Sequence, residues 1–313
     1  MKILVTGGAG FIGSHLVDAY IGAGHDVAIV DDLSTGKRAN LNPKAAFFEL
    51  SLLDDKLKDV FAEVRPTIVN HHAAQASVRR SVDDPAGDAN VNIIGSLKLL
   101  EQARSAAVRK FVFASTGGAI YGEQDYFPAD EAHPKRPVSP YGAAKASVET
   151  YLGFYAAEYN LNYTALRYAN VYGPRQDPFG EAGVVAIFSQ QMVSGGQAII
   201  NGDGRQTRDF TYVGDIVAAN LAATASDFIG AANIGTGVET SVLALFGLIK
   251  AAAGADLEPR FGPANPGEQE RSVLNAGLAG EKLGWRPRTA LTDGLRATVD
   301  FFRAAAGDGG PVD

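Results

Sequence analysis

Short apolar runs alternate with longer amphipathic stretches through the first half of the chain. Residues 2–6 (KILVT), 26–30 (DVAIV), 46–50 (AFFEL), 67–70 (TIVN) and 110–115 (KFVFAS) are too short for helices, and they do not alternate apolar with polar. Runs of this kind predict strands of a parallel sheet covered on both faces. Between them, 11–23 and 88–106 carry helical periodicity, and a helix-like stretch at 140–159 precedes a further strand candidate at 163–167 (YTALR). Strand–helix alternation predicts right-handed βαβ units and a doubly wound α/β (Rossmann) sheet. After Asn170 the alternation weakens, and Gly- and Pro-bearing loops take over at 172–183, 195–205 and 262–267. The expectation is a dinucleotide-binding domain over 1–170. A smaller substrate-binding portion over 171–313 then caps the carboxyl edge of the sheet, with chain crossovers allowed. The small, glycine-rich end at 304–313 is expected to fray.

Composition narrows the classes. The chain has 313 residues, 46% hydrophobic and 20% charged, which is ordinary for a soluble globular protein. Cysteine is absent, which excludes disulfides, thiolate catalysis and cysteine-ligated metal, and fits a reducing cytoplasm. A formal charge of −7 argues against nucleic acid as a partner, because phosphate backbones need a basic face. No apolar run approaches a membrane span, and glycines from Gly7 onward interrupt any signal-like stretch. A soluble, cytoplasmic protein is expected.

The segment from Thr6 to Gly13 (TGGAGFIG) follows a predicted strand and opens a predicted helix. Gly7 permits the tight turn, Gly10 lets the backbone approach a pyrophosphate, and Gly13 allows close helix–strand packing. The spacing is GxxGxxG, a relative of GxGxxG. An acidic residue, Asp31, ends the second strand about 20 residues on, where a carboxylate accepts ribose hydroxyls and repels a 2′-phosphate. This predicts NAD over NADP, with Lys37 and Arg38 close enough to oppose that reading. The bland alternative is a glycine turn without a ligand; strand, helix and acid together argue against it.

Tyr141 and Lys145 stand at i and i+4 of a predicted helix, so both side chains meet one ligand. A free phenol is a poor base at neutral pH. One positive charge about 5 Å away, at an effective dielectric constant of ~20, is worth ~3 kcal/mol, or roughly two pKa units. Tyr141 is therefore expected to exchange a proton with a sugar hydroxyl while hydride passes to a cofactor. Alone, such a pair is usually a solvated helix face. Its place after a dinucleotide fingerprint and a strand ending in Ser115 and Thr116 favours catalysis.

TGGAGFIGS at 6–14, HHAAQASVRRSV at 71–82, YGAAK at 141–145, RYANVYGPRQ at 167–176 and RDFTYVGD at 208–215 resemble the extended short-chain dehydrogenase/reductases, and among them the bacterial UDP-glucose 4-epimerases. The resemblance runs from Met1 to about Arg303. It implies NAD retained through turnover, with Tyr141 taking the proton of the sugar 4-hydroxyl and Lys145 holding the nicotinamide ribose. Gly7, Gly10, Phe11, Ile12, Gly13, Asp31, Asp32, Ser34, Thr35, Gly36, Ser51, Leu52, Ala73, Ala74, Gln75, Asn92 and Ser115 are implied to line the NAD site with the catalytic pair. Asn170 and Arg208 are implied at the UDP pyrophosphate, Val184 and Asn201 near the nucleoside or sugar, and Glu268 and Ser272 beside the sugar. A homodimer built from helices 88–106 and 140–159 is also implied. No metal site is expected.

The sequence departs from the family pattern in three places. The usual Ser or Thr four residues before Tyr121 is Gly117, followed by Gly118, so the hydroxyl role falls to Thr116, with Ser115 as its competitor. The usual adenine-contacting Asp is Ser51. An Arg expected before Pro266 is Asn265, leaving the phosphate charge to Arg208 or Arg271. In nucleotide-sugar dehydratases and decarboxylases an acidic residue follows the catalytic Thr; here Gly117, Gly118 and Ala119 stand there. UDP-glucuronate 4-epimerases stay open as an alternative. A dinucleotide-binding redox sensor without turnover needs no Tyr–Lys pair. His71 and His72 are expected to be packed or capping, and His15 and His133 have no metal-ligand spacing. Asp177, Asp203 and Asp209 are expected in turns and Trp285 in the core.

Overall fold

The computed structural model describes residues 1–179, 183–264 and 269–307. Six expected strands form, as β1 (Lys2–Thr6), β2 (Asp26–Asp31), β3 (Ala46–Glu49), β4 (Ile68–His71), β5 (Lys110–Thr116) and β6 (Tyr163–Tyr168). Seven more follow: β7 (Asn170–Tyr172), β8 (Ile199–Asn201), β9 (Thr207–Tyr212), β10 (Gly230–Ile234), β11 (Glu239–Ser241), β12 (Arg260–Gly262) and β13 (Arg271–Ser272). The main sheet runs β10-β6-β5-β4-β1-β2-β3, with every pair parallel. Parallel strands need covered crossovers, and helices bury both faces. On one face Phe111 and Phe113 of β5 pack with Leu99, Val148 and Leu152 from the helices Gly95–Ser105 and Pro140–Tyr159. On the other, Ile3 and Val5 pack with Leu16 and Tyr20 of Phe11–Gly22, and Val112 with Ile216 and Ala219 of Val213–Ala225.

The seventh strand of that sheet was not expected. β10 reads GAANI, whose glycine and alanines carry little strand preference. It is specified by burial beside β6 rather than by local pattern. The chain therefore returns to the first sheet after residue 170, through Val213–Ala225 and β10. The loop expected over 195–205 contains β8.

Helix 88–106 is also not one helix. Pro85–Ala89 begins it, capped by Asp84 with Pro85 in the first turn, and a π turn at Asn90–Ile94 joins it to Gly95–Ser105. The helix over 140–159 forms with the expected bounds: Ser139 Oγ accepts from the Gly142 N–H, and Asn160 ends it in the left-handed region.

Away from the main sheet, β9 lies between β11 and β13 and also pairs with β7. Helices Val184–Ser194, Val242–Ala253 and Leu291–Gly307 close a second core around Phe188, Phe246 and Val299. Asp209 ties the two layers together, accepting from the Thr236 and Gly237 N–H groups at 2.9 and 3.0 Å. Among the described residues no helix is long and apolar enough to cross a membrane.

Candidate active site

The carboxyl ends of β1, β2, β4 and β5 form one edge, where ligands of open α/β sheets bind. At the end of β1, Gly7 adopts φ +70°, and a Cβ there would stand 2.6 Å from the Ala73 nitrogen. Gly13 is tighter still: its Cβ would lie 2.0 Å from the Gly7 carbonyl oxygen. The helix Phe11–Gly22 thus sits directly on the turn, as the glycine spacing predicts. Its N-cap is Gly10, and no side chain caps it. The first-turn N–H groups around Phe11 and Ile12, with the positive end of the helix dipole, suit an anionic pyrophosphate.

Asp31 is buried at the end of β2. Its two oxygens accept from the Ala9 and Leu33 N–H groups, each at 2.9 Å. Burial pushes its carboxyl up, and these two bonds pull it back. Gly36 closes on it, a Cβ there meeting Ala9 and Asp31 at 2.8 Å. Asp32 accepts from the Ser34 hydroxyl at 2.6 Å, and Thr35 lies exposed in the same loop. Lys37 faces Asp177 at 3.9 Å and Arg38 is paired with Glu49. The two cations that opposed the NAD reading are therefore engaged elsewhere. Ser51 caps its own turn through the Leu53 N–H, and Leu52 is buried against Gly95.

After β4 the chain passes Ala73 and Ala74, the former donating to Thr6 Oγ1 at 3.2 Å. Gln75 and Asn92 then bond reciprocally, the Gln75 N–H to Asn92 Oδ1 and Asn92 Nδ2 to the Gln75 carbonyl, both at 2.9 Å. The π turn brings Asn92 into this position; such turns recur at functional sites. Both side chains also donate to Asp88, a buried carboxylate that sequence reasoning missed. Asp88 stands four residues before Asn92, so the helical spacing was the available signal.

Tyr141 and Lys145 enter on the helix Pro140–Tyr159. Lys145 is 4% exposed and donates to the Ala114 carbonyl at 2.9 Å. Its Nζ lies 4.8 Å from the Phe113 ring centre and 5.8 Å from that of Tyr141. Burial lowers Lys145 to about 8, against a raising effect of Asp88. Burial raises the Tyr141 phenol to about 12, and Asp88 adds to it. The phenol's net shift is therefore upward, opposite to the downward shift expected from a neighbouring cation, because desolvation dominates. As pH rises, Lys145 gives up its proton before Tyr141 does.

Thr116 and Ser115 separate clearly. The Ser115 hydroxyl donates to Glu149 Oε1 at 2.7 Å, and Glu149 is paired at 2.7 Å with the buried Arg167. Thr116 ends β5 half-buried, and its Oγ1 accepts from the Ala119 N–H at 3.3 Å. The place of the family's hydroxyl residue is filled from elsewhere. A Cβ at Gly117 would stand 2.4 Å from Leu274 Cδ1, and one at Gly118 would be 3.7 Å from Ser272 Oγ. The strand carrying Ser272 is held here by the Ala129 N–H donating to the Val273 carbonyl at 3.0 Å.

Ser272 is buried and stands opposite Arg208 in the β13–β9 register. Arg208 donates to the Thr207 carbonyl at 2.8 Å. Arg271 is paired with Glu239 at 2.7 Å and stacked 3.8 Å over Phe127, so it is not disposed to replace the missing Arg. Asn170 is exposed at the start of β7, Val184 opens its helix, and Asn201 ends β8. Glu268 and Asn265 lie outside the described residues. His71 is buried between Thr6 and Ser96, and His72 stacks on Tyr168, which fits packing roles. Trp285 is buried and donates to the Asp215 carbonyl at 2.9 Å.

Comparison with known proteins identifies the family. Residues 3–235 match the model of the NAD dependent epimerase/dehydratase family. A UDP-glucose 4-epimerase of Mycolicibacterium smegmatis is 47% identical over 97% of this chain and 99% of its own. The crystal structure of a Thermotoga maritima UDP-glucose 4-epimerase with UDP-glucose is 53% identical, with a TM-score of 0.96, covering 98% of this chain and 100% of that one. A Thermus thermophilus UDP-glucose 4-epimerase in complex with NAD is 47% identical, with a TM-score of 0.93, covering 97% and 100%. With a glycine cradle, an acidic strand end and a Tyr–Lys helix on one sheet edge, the chain belongs to the NAD-dependent epimerase/dehydratase family.

Proposed function

We propose that the protein is an NAD-dependent 4-epimerase of UDP-hexoses, interconverting UDP-glucose and UDP-galactose and accepting the N-acetyl forms. The observation that carries this reading is the Tyr141–Lys145 pair, a half-buried phenol and a buried ammonium at the end of β5, on the edge that holds Gly7, Gly10, Gly13 and Asp31. NAD, held at this edge, would supply a reversible hydride acceptor for C4 of the sugar. The protein's own residues handle the proton. Tyr141 takes it from the 4-hydroxyl on oxidation and gives it back on reduction. A phenol held near 12 needs positive charge beside it to do so. Lys145, protonated below about 8, supplies one such charge and the cofactor ring another. Thr116, whose hydroxyl hydrogen is free of the Glu149 network, donates to the reacting sugar oxygen.

Gly7, Gly10, Phe11, Ile12 and Gly13 hold the pyrophosphate, and Asp31 the adenosine ribose, with Asp32, Ser34, Thr35 and Gly36 in the loop beside it. Ser51, Leu52, Ala73, Ala74, Gln75, Asn92 and Ser115 complete the NAD site. Arg208 and Asn170 meet the UDP pyrophosphate; Val184, Asn201, Glu268 and Ser272 enclose the nucleoside and sugar. Residues 1–170 serve the cofactor and 171–313 chiefly the sugar, although β10 joins the first sheet and Val213–Ala225 packs on its face.

The proposed assembly is a homodimer. Exposed Val91, Ile94, Tyr151, Phe154 and Tyr159 on the two expected dimer helices support it. A cysteine-free, acidic chain fits the cytoplasm, and the proposed interconversion of UDP-glucose and UDP-galactose fits a role in galactose metabolism. The test is to incubate purified protein, without added cofactor, with UDP-glucose and resolve the products by chromatography. UDP-galactose is expected, with NAD released on denaturation. Stripped protein that regains activity only with NADP, or no conversion of any UDP-hexose by NAD-loaded protein, overturns the reading.

A further inference from the structure

The helix leading into the site carries a carboxylate to which the proposed reaction gives no part. Asp88 lies in Pro85–Ala89, which packs against Pro140–Tyr159, and is 2% exposed. Its Oδ1 accepts from Gln75 Nε2 at 2.8 Å and from Asn92 Nδ2 at 2.9 Å. Its Oδ2 is buried with no hydrogen-bond partner, although buried carboxylate oxygens are ordinarily satisfied. A carboxylate serving only as a bracket for two amides needs no charge, since a neutral amide oxygen accepts the same bonds. A buried anion is retained at lower cost where a buried cation lies within electrostatic reach. Lys145 is that cation: each group acts on the other.

We propose that Asp88 is a positioning residue of this site, the buried anion that balances the Lys145 ammonium beside Tyr141. The inference rests on the proposed role of that pair. Among the carboxylates of the described residues around Lys145, Asp88 is the one whose charge acts on it. His71 and His72 at the end of β4 are held neutral, pushed down by burial and by Lys145 itself. Tyr141 on its own helix is a neutral phenol until about 12. On the neighbouring Val78–Asp83 helix, Arg79, Arg80 and Asp83 are exposed, as is Asp84 beyond it. On Gly95–Ser105, Glu101 is paired with Arg104 and Tyr155, and Lys98 with Asp55. One turn along the helix Pro140–Tyr159 from Lys145, Glu149 is committed to Arg167, Lys135 and the Ser115 hydroxyl. Burial works to discharge Lys145, and Asp88 works against it. The same anion opposes ionisation of Tyr141, so the charge of the pair is kept on the lysine until the cofactor adds its own.

The test reads the charge on Lys145 directly and needs no turnover. Lysine side chains are labelled with carbon-13, and the Lys145 Cε resonance, assigned with Lys145→Arg, is followed against pH. In the unaltered protein the midpoint is expected near 8. Removing an anion means the ammonium gives up its proton at lower pH. Asp88→Asn is therefore expected to lower the midpoint by about one unit, and Asp88→Glu to keep it. An Asp88→Asn midpoint at the unaltered position, even with weaker NAD binding, reduces Asp88 to a bracket for Gln75 and Asn92 and overturns the proposal. Should Asp88→Asn fail to fold, Asp88→Glu decides: a retained midpoint supports the proposal, and a lowered one overturns it. A shifted midpoint in a protein that epimerises no UDP-hexose would uphold the charge balance and sink the proposed function alone.

Discussion

At the dinucleotide end of the cleft the tightest contacts involve backbone atoms, mostly from the first 40 residues, with Ala73 against Gly7. Gly13 and Gly7 leave no room for a methyl group between a helix and a turn, and Asp31 is held by two N–H groups nearby in sequence. At the sugar end, Gly117 and Gly118 meet Leu274 and Ser272 only because segments more than a hundred residues apart are brought together. There the contacts are side chains against glycine positions: Gly117 and Gly118 leave space that Leu274 and Ser272 partly occupy. Backbone contacts have no rotamer with which to yield, so the first end is fixed. Side-chain contacts can be retuned one residue at a time, so the second end can change by single substitutions.

The sharpest break of this contrast is a pair of glycine substitutions. Gly13→Val places carbon 2.0 Å from the Gly7 carbonyl oxygen, a backbone atom, and is expected to abolish recovery of folded, NAD-bearing protein. Gly118→Ala meets only Ser272 Oγ at 3.7 Å, an ordinary contact, and is expected to fold with its NAD. Soluble yield, thermal melting and cofactor content check both. Equal outcomes for the two glycines would remove the distinction between the ends.

Between the two ends sits the pair that serves both. Tyr141→Phe removes the phenol proposed to take the 4-hydroxyl proton and leaves the ring's packing in place. Turnover is expected to fall by ~10²-fold or more while UDP-sugar still binds. Single-turnover rates with bound substrate measure this, and near-unaltered turnover would show that another group moves the proton.

The same contrast governs how much the amino-acid sequence reveals. The glycine turn, Asp31, and the helix with Tyr141 and Lys145 are legible because each is a local pattern with a backbone reason. β10 is not, because GAANI becomes a strand only through burial beside β6. Asp88 escapes notice because its partners Gln75 and Lys145 lie elsewhere in the chain. The direction of the Tyr141 shift is missed for a related reason: charge separation is readable from spacing, whereas desolvation depends on the finished packing. Leu274 under Gly117 is the clearest case, a contact across more than 150 residues that makes sense of a departure from the family pattern.

A smaller effect is expected at Ser272. The residue is buried beside Gly118 and opposite Arg208, where it borders the space next to the sugar's 2-substituent in the proposed pose. Ser272→Tyr adds an aromatic ring to that space. Overpacking of this kind costs about 2 kcal/mol, which corresponds to roughly 30-fold. The kcat/KM ratio of UDP-N-acetylglucosamine to UDP-glucose is expected to fall by about that factor. An unchanged ratio would mean that this wall does not face the 2-substituent.

The mildest prediction separates two adjacent hydroxyls. Ser115 shares the face of Phe113, toward the helix Pro140–Tyr159, and its hydrogen is committed to Glu149 at 2.7 Å. That carboxylate is also the partner of Arg167, so Ser115→Ala removes a hydrogen bond to a buried charge. The loss is expected as about 1.5–3 kcal/mol of stability, seen in chemical denaturation, with turnover near the unaltered value. Thr116 points from the opposite face of β5, and its oxygen accepts from the Ala119 N–H, which leaves its hydrogen for the sugar. Gly117 cannot take over, because Leu274 fills the volume that its side chain would need. Thr116→Val therefore removes the one donor available there, and turnover is expected to fall by ~10-fold, the worth of one neutral hydrogen bond to the reacting oxygen. The two variants thus divide between a turnover assay and a denaturation curve. If Ser115→Ala slows the reaction while Thr116→Val does not, the Glu149 bond opens during turnover and the assignment of the hydroxyl reverses. If neither slows it, Tyr141 carries the proton transfer without a hydroxyl partner.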